Sequence, residues 1–246
     1  MTLTPLSISS LQRALAEGWR MSGATRGVST AYALIFTLGG LAIMGGLLSQ
    51  GWSPFVLAAA GAFMLIGPAI LAGFFGIARA SEAGERVSLG CVVTGYTQAS
   101  RALWALALIC ALLFMIFVTD AAILYAYMLG ATPVWLDSLL PANANVMSFV
   151  RWTGVSGLVV AFLLYCVAAF SVPLLCERRA GLVEAVVLSV RVVFASFIPS
   201  IFWAFFLSTV TIGSILFLPL LPLTLPWMAY ASRALYREAL PSAAKV

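Results

Sequence analysis

Few side chains in this chain can do chemistry. Asp120 is the only ionisable residue well inside an apolar run, and a carboxylate at membrane depth is a candidate proton or cation site. Four cysteines, Cys91, Cys110, Cys166 and Cys176, are the softest metal ligands present, and no two of them form C-x-x-C. Cys110 and Cys166 fall inside apolar runs, where free cysteine packs as a small apolar residue. No disulfide framework is implied. There is no histidine, which removes the commonest general acid/base, the commonest metal ligand and every His-ligated haem. No stretch has the spacing of a P-loop, a nucleophile elbow or a dinucleotide fingerprint. The sequence therefore names no catalytic residue, no cofactor-binding residue and no metal ligand, and it implies no cofactor.

The position of Asp120 narrows its role. If its apolar run begins near Leu103, Asp120 lies about 25 Å along a helix rising 1.5 Å per residue. That is close to a membrane interface rather than the midplane. The expectation is a solvated or hydrogen-bonded interfacial carboxylate, and the alternative is an ion site.

The elements that must position these residues are read from composition. Hydrophobic residues make up 63% of the 246-residue chain and charged residues 9%, whereas soluble domains carry about 25% charge. The mean hydropathy is +1.09. The chain is therefore expected to be an all-α, polytopic membrane protein forming one integral membrane domain over residues 1–246. Apolar runs occur at about 31–49, 55–78, 102–127, 154–176, 199–217 and 218–235. A bilayer core about 30 Å thick takes about 20 helical residues. As one helix, residues 199–235 would extend about 55 Å, so two short spans joined near Pro219 and Pro222 fit better. A signal peptide would have a shorter basic region and a small-residue cleavage site, so the first run reads as a retained span.

Charge sets the expected orientation. The net charge is +5, and the pattern points to a membrane rather than to nucleic acid. With six spans, twelve of the thirteen basic residues fall on one side, and only Arg151 falls on the other. The positive-inside rule then places both termini in the cytoplasm. On this reading FGIARASEAGERVSLG, residues 75–90, is a solvated cytoplasmic loop that turns at Ala83 and Gly84 and restarts at Ser88.

Three cytoplasmic segments carry a helical pattern. Arg13, Glu17 and Arg20 share one face, as do Thr94, Gln98 and Arg101, and Glu184 and Arg191. The apolar faces hold Leu11, Leu15 and Trp19; Val92, Val93 and Tyr96; and Val186, Val187, Val190 and Val193. Ser10 and Ser88 are expected to cap the first two. Three amphipathic helices at 10–22, 88–100 and 182–197, each feeding a pair of spans, give a three-fold helix–span–span repeat. The outer side carries one loop at 130–153, with Trp135 and Trp152 at headgroup level. Pro68 and Pro173 are expected to kink the second and fourth spans.

Residues 61–85, GAFMLIGPAILAGFFGIARASEAGE, resemble the GF-L--P-l--GlYe-SR--E-Ge pattern of a family of bacterial predicted integral membrane proteins, domain of unknown function 2189. FSVPLLCERRAGLVEAVVLSVRVV, residues 170–193, is similar to that family's S-P-llld------A---S--a- segment. PWMAYASRALYREAL, residues 226–240, is similar to its closing helix, which ends in an aromatic and an arginine. The resemblance covers most of residues 20–240. It implies six spans in a bacterial inner membrane and no known activity. One departure stands out: the family's closing helix usually reads GHATWHAYR, and aligning Tyr236 and Arg237 puts Tyr230 and Ala234 where its two histidines would be.

The function expected is that of a non-enzymatic accessory or scaffold protein whose partners are the lipid bilayer and another membrane protein complex. The runner-up is a small-molecule or ion transporter or channel built on Asp120 and the kinked second and fourth spans. A lipid-acting enzyme ranks third, with no residues to name.

Overall fold

A computed structural model of the chain describes residues 3–52, 67–129 and 144–241. Every regular element among the described residues is helical. The helices are α1 (Ile8–Ala24), α2 (Arg26–Ser49), α3 (Gly67–Glu82), α4 (Gly90–Gln98), α5 (Arg101–Leu129), α6 (Ala144–Ala168), α7 (Ser171–Cys176), α8 (Leu182–Ala195), α9 (Phe197–Leu216) and α10 (Leu221–Ala239), with a 3₁₀ turn at Leu218–Leu220 before α10. Among them, Arg26–Ser49, Arg101–Met128, Met147–Cys176 and Phe197–Leu216 are long and apolar enough to cross a membrane. The expected second span is helical over 67–78, and its remainder, including the run before Pro68, lies outside the described residues. The loop residues 130–143, with Trp135, lie outside them too. Trp152 is not in a loop: it sits within α6 and is exposed.

Local signals explain where the short helices start. The cap of α1 is Ser7, not Ser10. Ser7 Oγ accepts from Ser10 N, and Ser10 Oγ accepts from Ser7 N in return, so the serine expected at the cap fills the third position of a capping box. Likewise α4 begins at Gly90 after Leu89 rather than on Ser88. Each short helix hands over to a long one within a residue or two, at a hydroxyl side chain. Thr25 Oγ1 donates to Met21 O. Ser100 Oγ accepts from Ala102 N. Ser196 Oγ accepts from Leu6 N. A hydroxyl can satisfy the backbone groups freed at a helix end.

The faces these helices bury match the expected ones in part: Leu11, Val92 and Val193 are buried, and Leu15, Tyr96, Val186 and Val190 pack against the core. Helix α1 buries the small residues Ser10, Ala14 and Gly18 beside Leu11, while Trp19 is exposed and meets Trp227 edge-on at 5.5 Å. Val93 and Val187 are exposed as well. Small residues win these positions because the partner backbone comes so close. At the α3–α4 crossing, a Cβ on Gly76 would overlap Cys91 O and lie 2.7 Å from Gly95 Cα.

The helix expected as the fourth span is interrupted. Helix α6 stops at Ala168 and α7 starts at Ser171. The Pro173 ring excludes the carbonyl four residues back, that of Ala169. A second cause was not legible in advance. Ser189, from α8, accepts from Phe170 N at 3.1 Å and donates to Cys166 O at 2.8 Å. Its hydroxyl is thus inserted into the ladder bond that Phe170 and Cys166 would otherwise share.

Helix α10 packs against α1, α2, α3 and α9, and Leu221, Met228, Leu235 and Tyr236 are buried. This helix and the ends of α3 and α7 carry the site described next.

Candidate functional site

Arg233, Tyr236 and Arg237 fall at i, i+3 and i+4 of α10 and so share one face. Arg79 and Glu82 fall at i and i+3 in the last turn of α3. That helix closes as a Schellman motif: Glu85 N donates to Ala80 O at 2.9 Å and Gly84 N to Ser81 O at 3.2 Å. Gly84 supplies the positive φ of 70° that the motif needs. Helix α7 closes the same way, with Arg179 N donating to Leu174 O and Arg178 N to Leu175 O. Here the left-handed position is Arg178, at φ 53°, which a non-glycine residue adopts only against steric resistance. This turn sends Arg179 toward α10.

The three ends meet in one ion-pair cluster. Glu82 takes two guanidinium forks. Arg233 Nη1 lies 2.6 Å from Glu82 Oε1 and Nη2 3.0 Å from Oε2. Arg237 Nη1 and Nη2 reach the same oxygens at 2.8 and 3.1 Å. Glu177 Oε1 lies 3.5 Å from both Arg233 Nε and Arg237 Nη2, and Tyr236 OH donates to its Oε2 at 3.3 Å. Arg179 Nη1 donates to Tyr236 OH and to Leu240 O, each at 2.8 Å, closing the carbonyl end of α10. Arg233 also lies over the Phe75 ring. Its side chain is 4% exposed, so this charge depends on its partners.

The electrostatics follow from the geometry. Desolvation pushes the Glu82 carboxyl up, but the hydrogen bonds and charges of Arg233 and Arg237 overcome it and hold the group below its usual range. Burial, with the negative charge of Glu177, pushes the Tyr236 hydroxyl up. Burial pulls the Arg79 guanidinium down, and the like charge of Arg233 adds to that. A carboxylate gripped by two arginine forks is a poor base, because protonating it would break four charge-assisted bonds. What the cluster does chemically is join three helix ends.

Glu82, Glu85 and Arg86 are exposed, as expected of a solvated segment, but Arg79 and Glu82 lie in the last turn of α3, Arg79 is half-buried, and Glu82 is ion-paired. Sequence reasoning missed the cluster because each charged stretch was read against water rather than against the other stretches. The signal was the Arg-x-x-Tyr-Arg face of the last helix, together with Glu-Arg-Arg at the end of the fourth apolar run.

Asp120 stands apart. It is half-buried on α5 and makes no ion pair or hydrogen bond with any described residue. Helix α6 runs antiparallel beside it, in a register fixed by the Phe117 ring against Gly157 and by the Tyr125–Phe149 ring contact at 5.7 Å. Cys110, Cys166 and Cys176 are buried and free, and Cys91 is half-buried. Among the described residues no three His, Cys, Asp or Glu side chains gather as metal ligands. At the two departures from the family pattern, Tyr230 OH bonds Ser29 Oγ at 2.6 Å and Thr25 Oγ1 at 3.3 Å, tying α10 to the α1–α2 break, while Ala234 lies against the main core.

A family model described as "Predicted integral membrane protein (DUF2189)" matches residues 55–177, half of the chain. No curated protein and no solved structure matches it. Arg79, Glu82 and Glu177 lie within the matched stretch, and Arg233 and Arg237 lie beyond it.

Proposed function

Because the chain belongs to the DUF2189 family of predicted integral membrane proteins, we propose that it serves as a non-enzymatic accessory or scaffold component of a bacterial inner membrane. In this reading it crosses six times and keeps both termini in the cytoplasm. The observation that carries the reading is the cluster itself. Glu82 and Glu177 are committed to Arg233 and Arg237, so these charges hold a rigid end together instead of serving turnover. The handovers at Thr25, Ser100 and Ser196, each from a short helix to a long one, support a three-fold helix–span–span repeat. Three short helices at one end would offer a docking platform for another membrane protein.

Two measurements test this. Reporter fusions after Leu48, near Asn143 and after Leu218 are expected to read periplasmic, and fusions after Glu85, Arg179 and Val246 cytoplasmic. A cytoplasmic reading near Asn143 would overturn the six spans. In native-detergent purification with cross-linking and mass spectrometry, one membrane partner at constant stoichiometry is expected on α1, α4 or α8. A chain that purifies alone and mediates solute flux in proteoliposomes would replace this reading with a transporter or channel. The interruption between α6 and α7 favours that second reading, since broken helices line transporter binding sites.

A further inference from the structure

Five guanidinium groups converge on this end of the helices, against two carboxylates. Arg233 and Arg237 hold Glu82 and Glu177. Arg178 and Arg179 hold backbone carbonyls, those of Thr97 and Ala99 and those of Leu240 and Pro241. Arg79 holds neither. Its Nε and Nη2 are buried and have no hydrogen-bond partner, although its side chain as a whole is only half-buried.

A guanidinium with buried, unbonded nitrogens is costly; Arg233 and Arg178 repel it, and Glu177 attracts it without an ion pair or a hydrogen bond. The missing counterpart must be negative, must offer several acceptor oxygens to a planar fork, and must reach the end of the apolar run at 55–78. A phosphate group meets all three demands, and at that depth a phospholipid headgroup presents one. We propose that Arg79, flanked by Arg178, holds a phosphate group, carried either by an anionic phospholipid or by free phosphate. No hydrogen bond commits the Arg79 guanidinium to another group among the described residues. The site is independent of the scaffold reading, because a transporter could carry it equally well.

The test uses the full-length protein in phosphatidylcholine vesicles, with or without phosphatidylglycerol. The readouts are the thermal midpoint from tryptophan fluorescence and the phosphatidylglycerol retained in native mass spectrometry. Phosphatidylglycerol is expected to raise the wild-type midpoint. Arg79→Gln is expected to erase that rise and to retain phosphatidylglycerol about tenfold less well, the loss of one charge-assisted contact. Arg86→Gln, which removes an exposed arginine outside the cluster, is expected to behave as wild type. If Arg79→Gln does not fold, Arg79→Lys keeps the charge without the fork, and weakened retention is expected of it. Inorganic phosphate added to phosphatidylcholine vesicles separates the sources. A rise there that Arg79 substitution abolishes assigns free phosphate and upholds the site. The proposal is overturned if the Arg79 variants respond to both phosphatidylglycerol and inorganic phosphate as wild type does, if Arg86→Gln loses as much as Arg79→Gln, or if neither additive moves the wild-type midpoint.

Discussion

The two ends of this molecule use polar residues in opposite ways. Where α3, α7 and α10 meet, carboxylates and guanidinium groups are gathered from three elements, and Arg233 is almost wholly buried among them. At the far end of the α5–α6 hairpin, two helices meet among the described residues. Tyr125 and Phe149, with Leu124 and Met128 against them, form a small core of their own, while Ile116, Ile123, Tyr127 and Trp152 are exposed. Asp120 sits there without an ion pair or hydrogen bond among the described residues. An ionisable side chain inside an apolar sequence thus takes on a structural task where several elements converge to pair it, and depth along a span does not by itself confer one.

The largest effect is expected from breaking the convergent end at its most buried charge. Arg233→Ala takes one of the two arginines from Glu177 and opens a space against Phe75. Removing one member of a buried pair costs about 3–5 kcal/mol, and the lower value is expected here because Arg237 still grips Glu82. The measurement is thermal or denaturant unfolding in detergent, followed by tryptophan fluorescence. A midpoint equal to wild type would show that the cluster is decoration on a fold held by other contacts.

Backbone proximity is the second mark of the convergent end. A methyl group at position 76 would collide with Cys91 O and Gly95 Cα, both backbone atoms that move only if α3 and α4 separate. Gly76→Ala is expected to cost about 1–3 kcal/mol, as overpacking does. Gly154→Ala on the hairpin helix α6 meets nothing within 4 Å and is expected to be tolerated. If the two alanine variants were equally stable, the contrast in packing between the ends would disappear.

A smaller effect separates the ends by pH. The Glu82 carboxyl is held below its unfolded value: desolvation opposes this, but Arg233 and Arg237 outweigh it. Its contribution to stability is therefore fully present above the ordinary carboxylate range and is lost as pH falls through the lowered native value. Glu82→Gln is expected to be less stable than wild type at neutral pH and to converge with it in acid. A gap that stays constant down to strongly acid pH would mean that Glu82 acts through shape rather than charge.

Much of the helical layout was legible because hydropathy and basic clusters are local signals. The short helices appear at 8–24, 90–98 and 182–195, close to where periodicity placed them. The cluster was not legible, because its pairs link residues more than fifty positions apart, as in Glu177–Arg233 and Glu82–Arg237. Periodicity along a single segment carries no such information. The inserted Ser189 hydroxyl was invisible for the same reason: Pro173 announced an interruption, but the group that satisfies the broken ladder comes from α8. The expected faces of α1 and α8 hold for Leu11, Leu15, Val186, Val190 and Val193 and miss at Trp19 and Val187, because amphipathicity weighs size and polarity, whereas a close helix crossing selects Ala14 and Gly18 over Trp19. In the bilayer reading, an exposed Trp19 loses nothing by facing lipid.

The smallest effect is expected at Asp120, and it tests the comparison from the other side. Asn keeps the shape of the side chain and removes its charge. Inserting an aspartate at the centre of a span costs roughly 2.5–3.5 kcal/mol, a cost that would call for a functional or structural return. Near an interface, water reduces that cost. Asp120 forms no ion pair among the described residues, so neutralising it strands no cation, unlike Arg233→Ala, which leaves Glu177 with only the 3.5 Å pair to Arg237. Asp120→Asn is therefore expected to change stability by less than about 0.5 kcal/mol, as surface substitutions away from special features do, and to support growth as wild type does. The readouts are the unfolding midpoint and complementation of a deletion strain at matched protein levels. If Asp120→Asn reproduced the deletion phenotype while folding normally, the unpaired carboxylate would be the working residue of an ion-coupled carrier. The paired cluster at the other end would then be the frame against which that carrier moves.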